Sequence, residues 1–194
     1  MLNTFSFAFL AALVLMCALR LWLAQRQISH VVAHRGWVPP GFADRIGLDA
    51  HQKAADYTVA RTRFGTVGLA VEVAVLLAFT FGGGLQTLHD FWSGRLDGLT
   101  YGVALIFSVA LVSAVVDLPL ALYRQFVIEA NFGFNRMTLK IFISDLLKQA
   151  ALGIVIGTPV LLAVLWLMDR MGDLWWLHVW LFWCAFNLLL LFIY

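Results

Sequence analysis

Apolar residues gather in five long runs separated by four more polar connections. A helix that crosses a bilayer needs about 20 mostly apolar residues. The runs Leu2 to Leu23, Phe64 to Phe81, about Leu99 to Leu122, about Leu146 to Met168, and Leu174 to Tyr194 match or approach that length. The pattern predicts an all-α fold: a polytopic membrane helix bundle of about five transmembrane helices with helical cytoplasmic loops. The second helix is expected to begin well before its apolar run. Asp49 is placed to cap it, and neither proline nor glycine interrupts Ala50 to Phe64. From Asp49 to Phe81 is 33 residues, roughly 50 Å of helix at about 1.5 Å per residue. The hydrocarbon core is only about 30 Å thick, so the polar half HQKAADYTVARTR must project beyond the membrane or lie on its surface.

Composition agrees with the pattern. Of 194 residues, 62% are hydrophobic and 12% charged, where a soluble domain has about 45–50% and about 25%. An ordinary soluble domain is excluded. A net charge of +2 is too small to suggest a nucleic-acid partner. Cys17 and Cys184 both lie inside apolar runs and read as small buried hydrophobes, not as a disulfide. The first run has no basic residue before Arg20, whereas a signal peptide carries its positive charge ahead of the apolar core. It reads as a retained helix with a translocated N-terminus.

The connections carry a charge asymmetry. The first holds Arg20, Arg26, Arg35, Arg45, Lys53, Arg61 and Arg63, and the third holds Arg124, Arg136, Lys140 and Lys148. The second and fourth hold one each, Arg95 and Arg170. Positive charge favours the cytoplasm, so loops 25–63 and 123–146 are expected there, with the N-terminus outside. A bacterial inner membrane is the expected location. Trp175, Trp176, His178, Trp180 and Trp183 then fall at the outer entry of the fifth helix, as an interfacial aromatic belt would.

A few residues inside the spans stand out. Glu72 is the carboxylate near the middle of a span, and a charge there should face other helices, water or a partner. Asp117, just before Pro119, is expected to act as an interfacial cap or to pair with Arg124. Gly153 and Gly157 form a small-xxx-small pair ahead of Pro159, which suits close helix packing. Gly98 and Gly102 make a weaker instance. A transporter would have to rest on Glu72 and Pro159, and no inverted repeat supports it.

The stretch HVVAH places His30 and His34 four apart in the loop after the first helix. That is the spacing of a zinc-binding His-Glu-x-x-His helix, but Val31 stands where the general-base glutamate would be. A zinc site needs three or four protein ligands, and only Asp44 and His51 could add to the pair. A solvated interfacial role is expected. The following Pro39-Pro40 should stop any helix before Gly41.

The third connection, LYRQFVIEANFGFNRMTLKIFISDLLK from Leu122 to Lys148, is too aromatic for a linker. Phe126, Phe132, Phe134 and Phe142 require apolar surroundings. Gly133 and Asn135 suit a tight turn with positive φ, and Thr138 can cap a new amphipathic helix leading into the fourth span. This segment resembles the signature Y-x-x-F-V-I-E-x-x-x-G-F-N-x-x-T…D-x-x-K of the CAAX prenyl protease type 1 family of membrane zinc metallopeptidases. The matching residues are Tyr123, Phe126, Val127, Ile128, Glu129, Gly133, Phe134, Asn135, Thr138, Asp145 and Lys148. HQKAADYTVARTRF, His51 to Phe64, is similar to the family's Lys-Ala-x-x-Tyr segment. With five spans in the right order, the resemblance covers essentially the whole chain, 1–194, as the N-terminal membrane region.

The resemblance implies a complete enzyme that is a cytoplasm-facing zinc endopeptidase acting on peptides or proteins, including C-terminally prenylated ones in eukaryotic relatives. The family's His-Glu-x-x-His helix follows the five-helix region and is not among the five histidines here. No catalytic residue, metal ligand or cofactor is therefore expected in this chain, which should be inactive alone; zinc belongs to the complete enzyme. The end of the chain at LFIY, without a charged flank, reads as a truncation, a fragment or a split open reading frame. The expected contribution is chamber wall, membrane anchor and part of the substrate path. Its partners would be the lipid bilayer, the missing catalytic domain and the substrate. Glu129 and Asn135, with Phe132, Gly133 and Phe134, are the substrate-path or interdomain candidates, and Glu72 is the intramembrane polar one. The alternative is a non-catalytic five-helix membrane partner or regulatory protein.

Overall fold

The computed structural model describes residues 3–193; Met1, Leu2 and Tyr194, the expected ends of the first and last spans, lie outside the described residues. The described chain is helical, without strands. The helices are α1 (Thr4–Ala33), α2 (Leu48–Thr80), α3 (Gly84–Ser93), α4 (Gly98–Asn131), α5 (Leu139–Arg170) and α6 (Trp175–Ile193). Five of them, all but α3, are long and apolar enough to cross a membrane. They form two compact units, residues 1–82 with 113–136, and residues 83–112 with 137–194.

In the first unit α1 and α2 pack together. The buried apolar residues Leu13, Ala55, Leu69 and Ile128 all belong to this unit. Most large apolar side chains, among them Leu15, Trp22, Val67 and Val115, point outward. Helix association in lipid lacks a hydrophobic drive, so outward apolar faces are the expected state of a membrane helix. The polar first half of α2 is continuous with its apolar half, as the uninterrupted sequence predicts. The cap differs from expectation. Gly47 is the N-cap and Asp49 lies in the first turn, where a carboxylate still complements the helix dipole.

HVVAH is not a loop: His30 is in the last turn of α1 and His34 is its C-cap. The helix thus ends at Ala33, ahead of the Pro39-Pro40 break. Arg35 then forks onto Asp56 of α2, with Nε and Nη2 2.7 and 2.8 Å from the two carboxylate oxygens. This bidentate geometry fixes the α1–α2 connection, and Asp56 holds the Arg35 guanidinium above its already high range.

In the second unit α5 and α6 pack together. A Cβ built on Gly102 would lie 2.8 Å from Leu165 Cδ1, so the missing side chain is what lets α4 approach α5. Gly157 sits against the Phe107 ring at 3.7 Å, whereas Gly153 faces open space. The pair expected to be weaker therefore supplies the tighter contact. The sequence reading did not include α3. It lies between Gly83 and Gly94 and is tied to α4 by Trp92 Nε1 donating to Ser108 Oγ at 2.8 Å. Thr138 caps α5 as expected, accepting from the Ile141 amide. In α6 Trp176, Trp180 and Trp183 are exposed, as interfacial aromatics are.

Candidate functional site

The segment with the richest polar and aromatic composition folds into a turn at the end of α4. Regular α-helix gives way to a π-helical turn over Arg124–Ile128, followed by one α turn, Glu129–Asn131. Single π turns inside α-helices occur frequently at functional sites. The helix then closes on a Schellman motif: the Phe134 amide donates to the Glu129 carbonyl at 2.8 Å and the Gly133 amide to the Ala130 carbonyl at 2.9 Å. Gly133 has φ +73°, the left-handed position at which glycine avoids the Cβ clash. Asn135 does not share that conformation: among the described residues only glycines have positive φ. Its amide instead donates to the Glu129 carbonyl, and its side-chain oxygen accepts from Gln125 Nε2 at 2.9 Å.

This turn docks on the polar half of α2. Tyr57 Oη donates to Glu129 Oε1 at 2.6 Å. Its ring meets Phe132 and Phe134 edge-on, with centroids 5.4 and 4.9 Å away. Lys53 Nζ stands 5.7 Å from the Phe134 ring centroid, in cation–π range. Two turns further along α2, Phe64 stacks on Tyr123 at 5.1 Å. The two stretches carrying the family resemblance, His51 to Phe64 and Leu122 to Lys148, thus meet through Lys53, Tyr57 and Glu129. Sequence reasoning named Glu129, Phe132, Gly133, Phe134 and Asn135, and the structure gathers them around Tyr57. It missed Tyr57 and Gln125 as their partners. The signal was available for Tyr57, because both stretches lie at the basic ends of adjacent spans.

Glu72 stands apart from this knot. It pairs with Arg20 of α1 at 3.6 Å, with both side chains more than half exposed. Alongside it runs a groove of about 360 Å³ whose lining includes Arg61, Gly65, Gly68, Glu72, Asp117 and Arg124. Asp117 shares the groove with Arg124 but forms no ion pair with it, nor does it cap a helix.

At the α1–α2 connection, His30 and His34 have ring centroids 4.2 Å apart, His34 Nδ1 bonds to the His30 carbonyl, and His51 Nε2 bonds to the His34 carbonyl. Those nitrogens are spent on backbone. Among the described residues no three His, Cys, Asp or Glu side chains gather as a metal site would require.

A sequence model described as CAAX prenyl protease N-terminal, five membrane helices, matches residues 27–194. The probable CAAX prenyl protease 1 of Schizosaccharomyces pombe is 29% identical over 185 residues, which is 88% of this chain and 38% of that protein. The human CAAX prenyl protease 1 homolog is 31% identical over 201 residues, 95% of this chain and 41% of that protein. The crystal structure of S. mikatae Ste24p superposes with a TM-score of 0.85 at 24% identity, covering 94% of this chain and 44% of that one. These relatives are eukaryotic, and the chain spans about two fifths of their length. On the family match across residues 27–194, the chain belongs to the CAAX prenyl protease family and forms its N-terminal, five-helix membrane region.

Proposed function

We propose that residues 1–194 act as one membrane domain of a zinc metalloendopeptidase, forming chamber wall, anchor and part of a substrate path, with the hydrolytic centre on polypeptide that follows in the family. The observation that carries this reading is the Tyr57–Glu129 hydrogen bond. It locks the signature turn into a fixed shape at the end of the spans, where a second domain could seat. In this reading Glu129 and Asn135 supply polar contacts toward the catalytic domain, and Gly133 shapes the turn. Phe132 and Phe134 hold the turn on α2, and Glu72 faces the enclosed space.

Zinc would reside in the complete enzyme, and the chain alone would hydrolyse nothing. The partners are the bilayer, the catalytic domain and a peptide or protein substrate. The basic connections are proposed to face the cytoplasm, with the N-terminus on the opposite side. A bacterial inner membrane satisfies that arrangement, as does any membrane with a cytosolic face.

The test is a chimaera in which this chain replaces the corresponding region of the Saccharomyces cerevisiae relative. It is expressed in yeast lacking that enzyme and assayed on a farnesylated peptide. Chelator-sensitive cleavage is expected from the inserted chimaera and none from the purified 194-residue chain, whose zinc content should be far below stoichiometric. Cleavage by the chain alone, or an inserted but inactive chimaera, overturns the proposal.

A further inference from the structure

α3 is too short to cross a membrane, yet both of its neighbours are long and apolar enough to do so. Its ten residues make about 15 Å of helix. Residues 81–83 join it to α2 and residues 94–97 join it to α4. Such links reach no more than about 14–18 Å when fully extended, so α3 stays on the membrane face where α2 ends and α4 begins. The signature turn closes the other end of α4.

The sequence GLQTLHDFWS is two-sided. At about 100° per residue, Leu85, Leu88, Phe91 and Trp92 share an arc of about 120°, while Gln86, Thr87, His89, Asp90 and Ser93 occupy the opposite face. Part of the apolar stripe is used inside the protein, because Leu88 and Trp92 are half-buried. Leu85 and Phe91 remain 41% and 49% exposed.

Two hydrogen bonds to α4 fix which way the stripe points. His89 Nδ1 and Tyr101 Oη share one at 2.6 Å, and Trp92 Nε1 donates to Ser108 Oγ at 2.8 Å. Tyr101 lies three residues into α4 from Gly98 and Ser108 ten, about 4.5 and about 15 Å along its axis. The polar edge of α3 is therefore held near the end of α4, and the apolar edge is turned deeper along the span. Arg95 completes the arrangement. Its guanidinium carbon stands 4.0 Å from the Phe91 ring centroid, and the group donates to the Phe91 carbonyl. An arginine seated on an aromatic ring can keep its charge toward water while the ring faces hydrocarbon.

We propose that α3 lies in the bilayer interface and docks the flank bearing Leu85 and Phe91 into the acyl boundary of phospholipids, with Arg95 at the level of their phosphates. The occupant is lipid because the short links hold the helix at the membrane surface and the bonds to α4 aim its apolar edge inward. Helices with Leu, Phe and Trp on one face and polar residues on the other bury the apolar face about 5–10 Å deep in this plane. Trp92 is of the residue type that gathers at this level. Arg95 is the one Lys or Arg between residues 81 and 97, against Asp90 and Asp97, so binding rests on apolar area and zwitterionic lipid suffices. None of this depends on the peptidase reading.

The test uses the 194-residue chain with Cys17→Ala and Cys184→Ala in phosphatidylcholine nanodiscs. Spin labels are attached one at a time at Leu85→Cys, Phe91→Cys, Gln86→Cys and Asp90→Cys, and collision with oxygen is compared with collision with a water-soluble nickel chelate. Labels at 85 and 91 should lie about 5–10 Å below the phosphates, and labels at 86 and 90 in water. Nickel access at all four positions overturns the proposal. So does exclusion of both probes at 85 and 91, which is what a second copy or another polypeptide covering the flank would produce. A second measurement needs no substitution. Phosphatidylcholine carrying a diazirine high on one acyl chain is photolysed beside the unmodified chain, and the adducts are mapped by mass spectrometry. Adducts at Leu85 or Phe91, and none at Gln86 or Asp90, are expected. A segment 84–93 free of adducts while α4 is labelled overturns the proposal whatever the variants do.

Discussion

Replacing Tyr57 by phenylalanine isolates a single interaction. The ring keeps its edge-on contacts with Phe132 and Phe134, and only the hydroxyl that donates to Glu129 Oε1 at 2.6 Å is lost. Hydrogen bonds to charged groups contribute about 1.5–3 kcal/mol. This one is part-buried, so solvent competes and about 1–2 kcal/mol is expected. For a chain of this size that corresponds to a fall in Tm of about 2–8 °C. The assay is thermal unfolding in detergent followed by circular dichroism, on Tyr57→Phe, Glu129→Gln and the double variant. Glu129→Gln retains an acceptor oxygen but loses charge assistance, so its single effect should be smaller. Because both changes disrupt the same bond, the double variant should be little worse than Tyr57→Phe alone. A Tyr57→Phe shift below about 1 °C, or strictly additive losses, would refute the assignment of this bond as the clamp holding α2 to the end of α4.

Three further outcomes follow from the geometry. Gly133→Ala should lose about 1–2 kcal/mol through its left-handed backbone, since the added Cβ would meet only Lys53 Nζ at an ordinary 3.5 Å. Gly133→Asn should recover part of that in the same melt. Gly102→Ile should destabilise by about 1–3 kcal/mol through overpacking against Leu165. Gly153→Ala, in open space, should be neutral or stabilise by up to about 1 kcal/mol; a larger loss at 153 than at 102 contradicts the packing described. In a background of Cys17→Ala and Cys184→Ala, an impermeant maleimide applied from outside should label Asp90→Cys and spare Arg45→Cys. The reverse pattern defeats the proposed orientation.

The spans were legible because lipid rewards apolar length regardless of tertiary detail, and all five runs became helices. The Thr138 cap and the turn at Gly133 were legible too, since both follow from local backbone chemistry. The helix ends were not. Charged and polar residues such as Arg26 and Gln27 mark where a helix leaves the membrane, not where it stops, so α1 ran on to Ala33 and absorbed HVVAH. α3 was missed because ten residues between two glycines are too few to register as a span. Tyr57–Glu129 and Arg35–Asp56 join residues 72 and 21 positions apart. No local pattern encodes such pairs. Asn135 misled for a related reason: asparagine tolerates positive φ, but here its side chain is engaged by Gln125 across the turn.

The distribution of charge separates what the two units do. From Gln149 to Met168 in α5, and throughout α6, no Asp, Glu, Lys or Arg occurs. Those faces are satisfied by lipid and by the close approaches at Gly102 and Gly157. The first unit instead carries Arg20, Glu72 and Asp117 within its spans; a charge costs about 2.5–3.5 kcal/mol at a helix centre on insertion scales, the position Glu72 approaches, and less toward the ends. The Arg20–Glu72 pair at 3.6 Å offsets part of that cost. Among the described residues Asp117 has no such partner, and α1, α2 and α4 offer no interior into which it is buried. A charge that is neither paired nor buried must be solvated, and lipid cannot solvate it. The groove holding Asp117 therefore has to open onto water or onto polar protein.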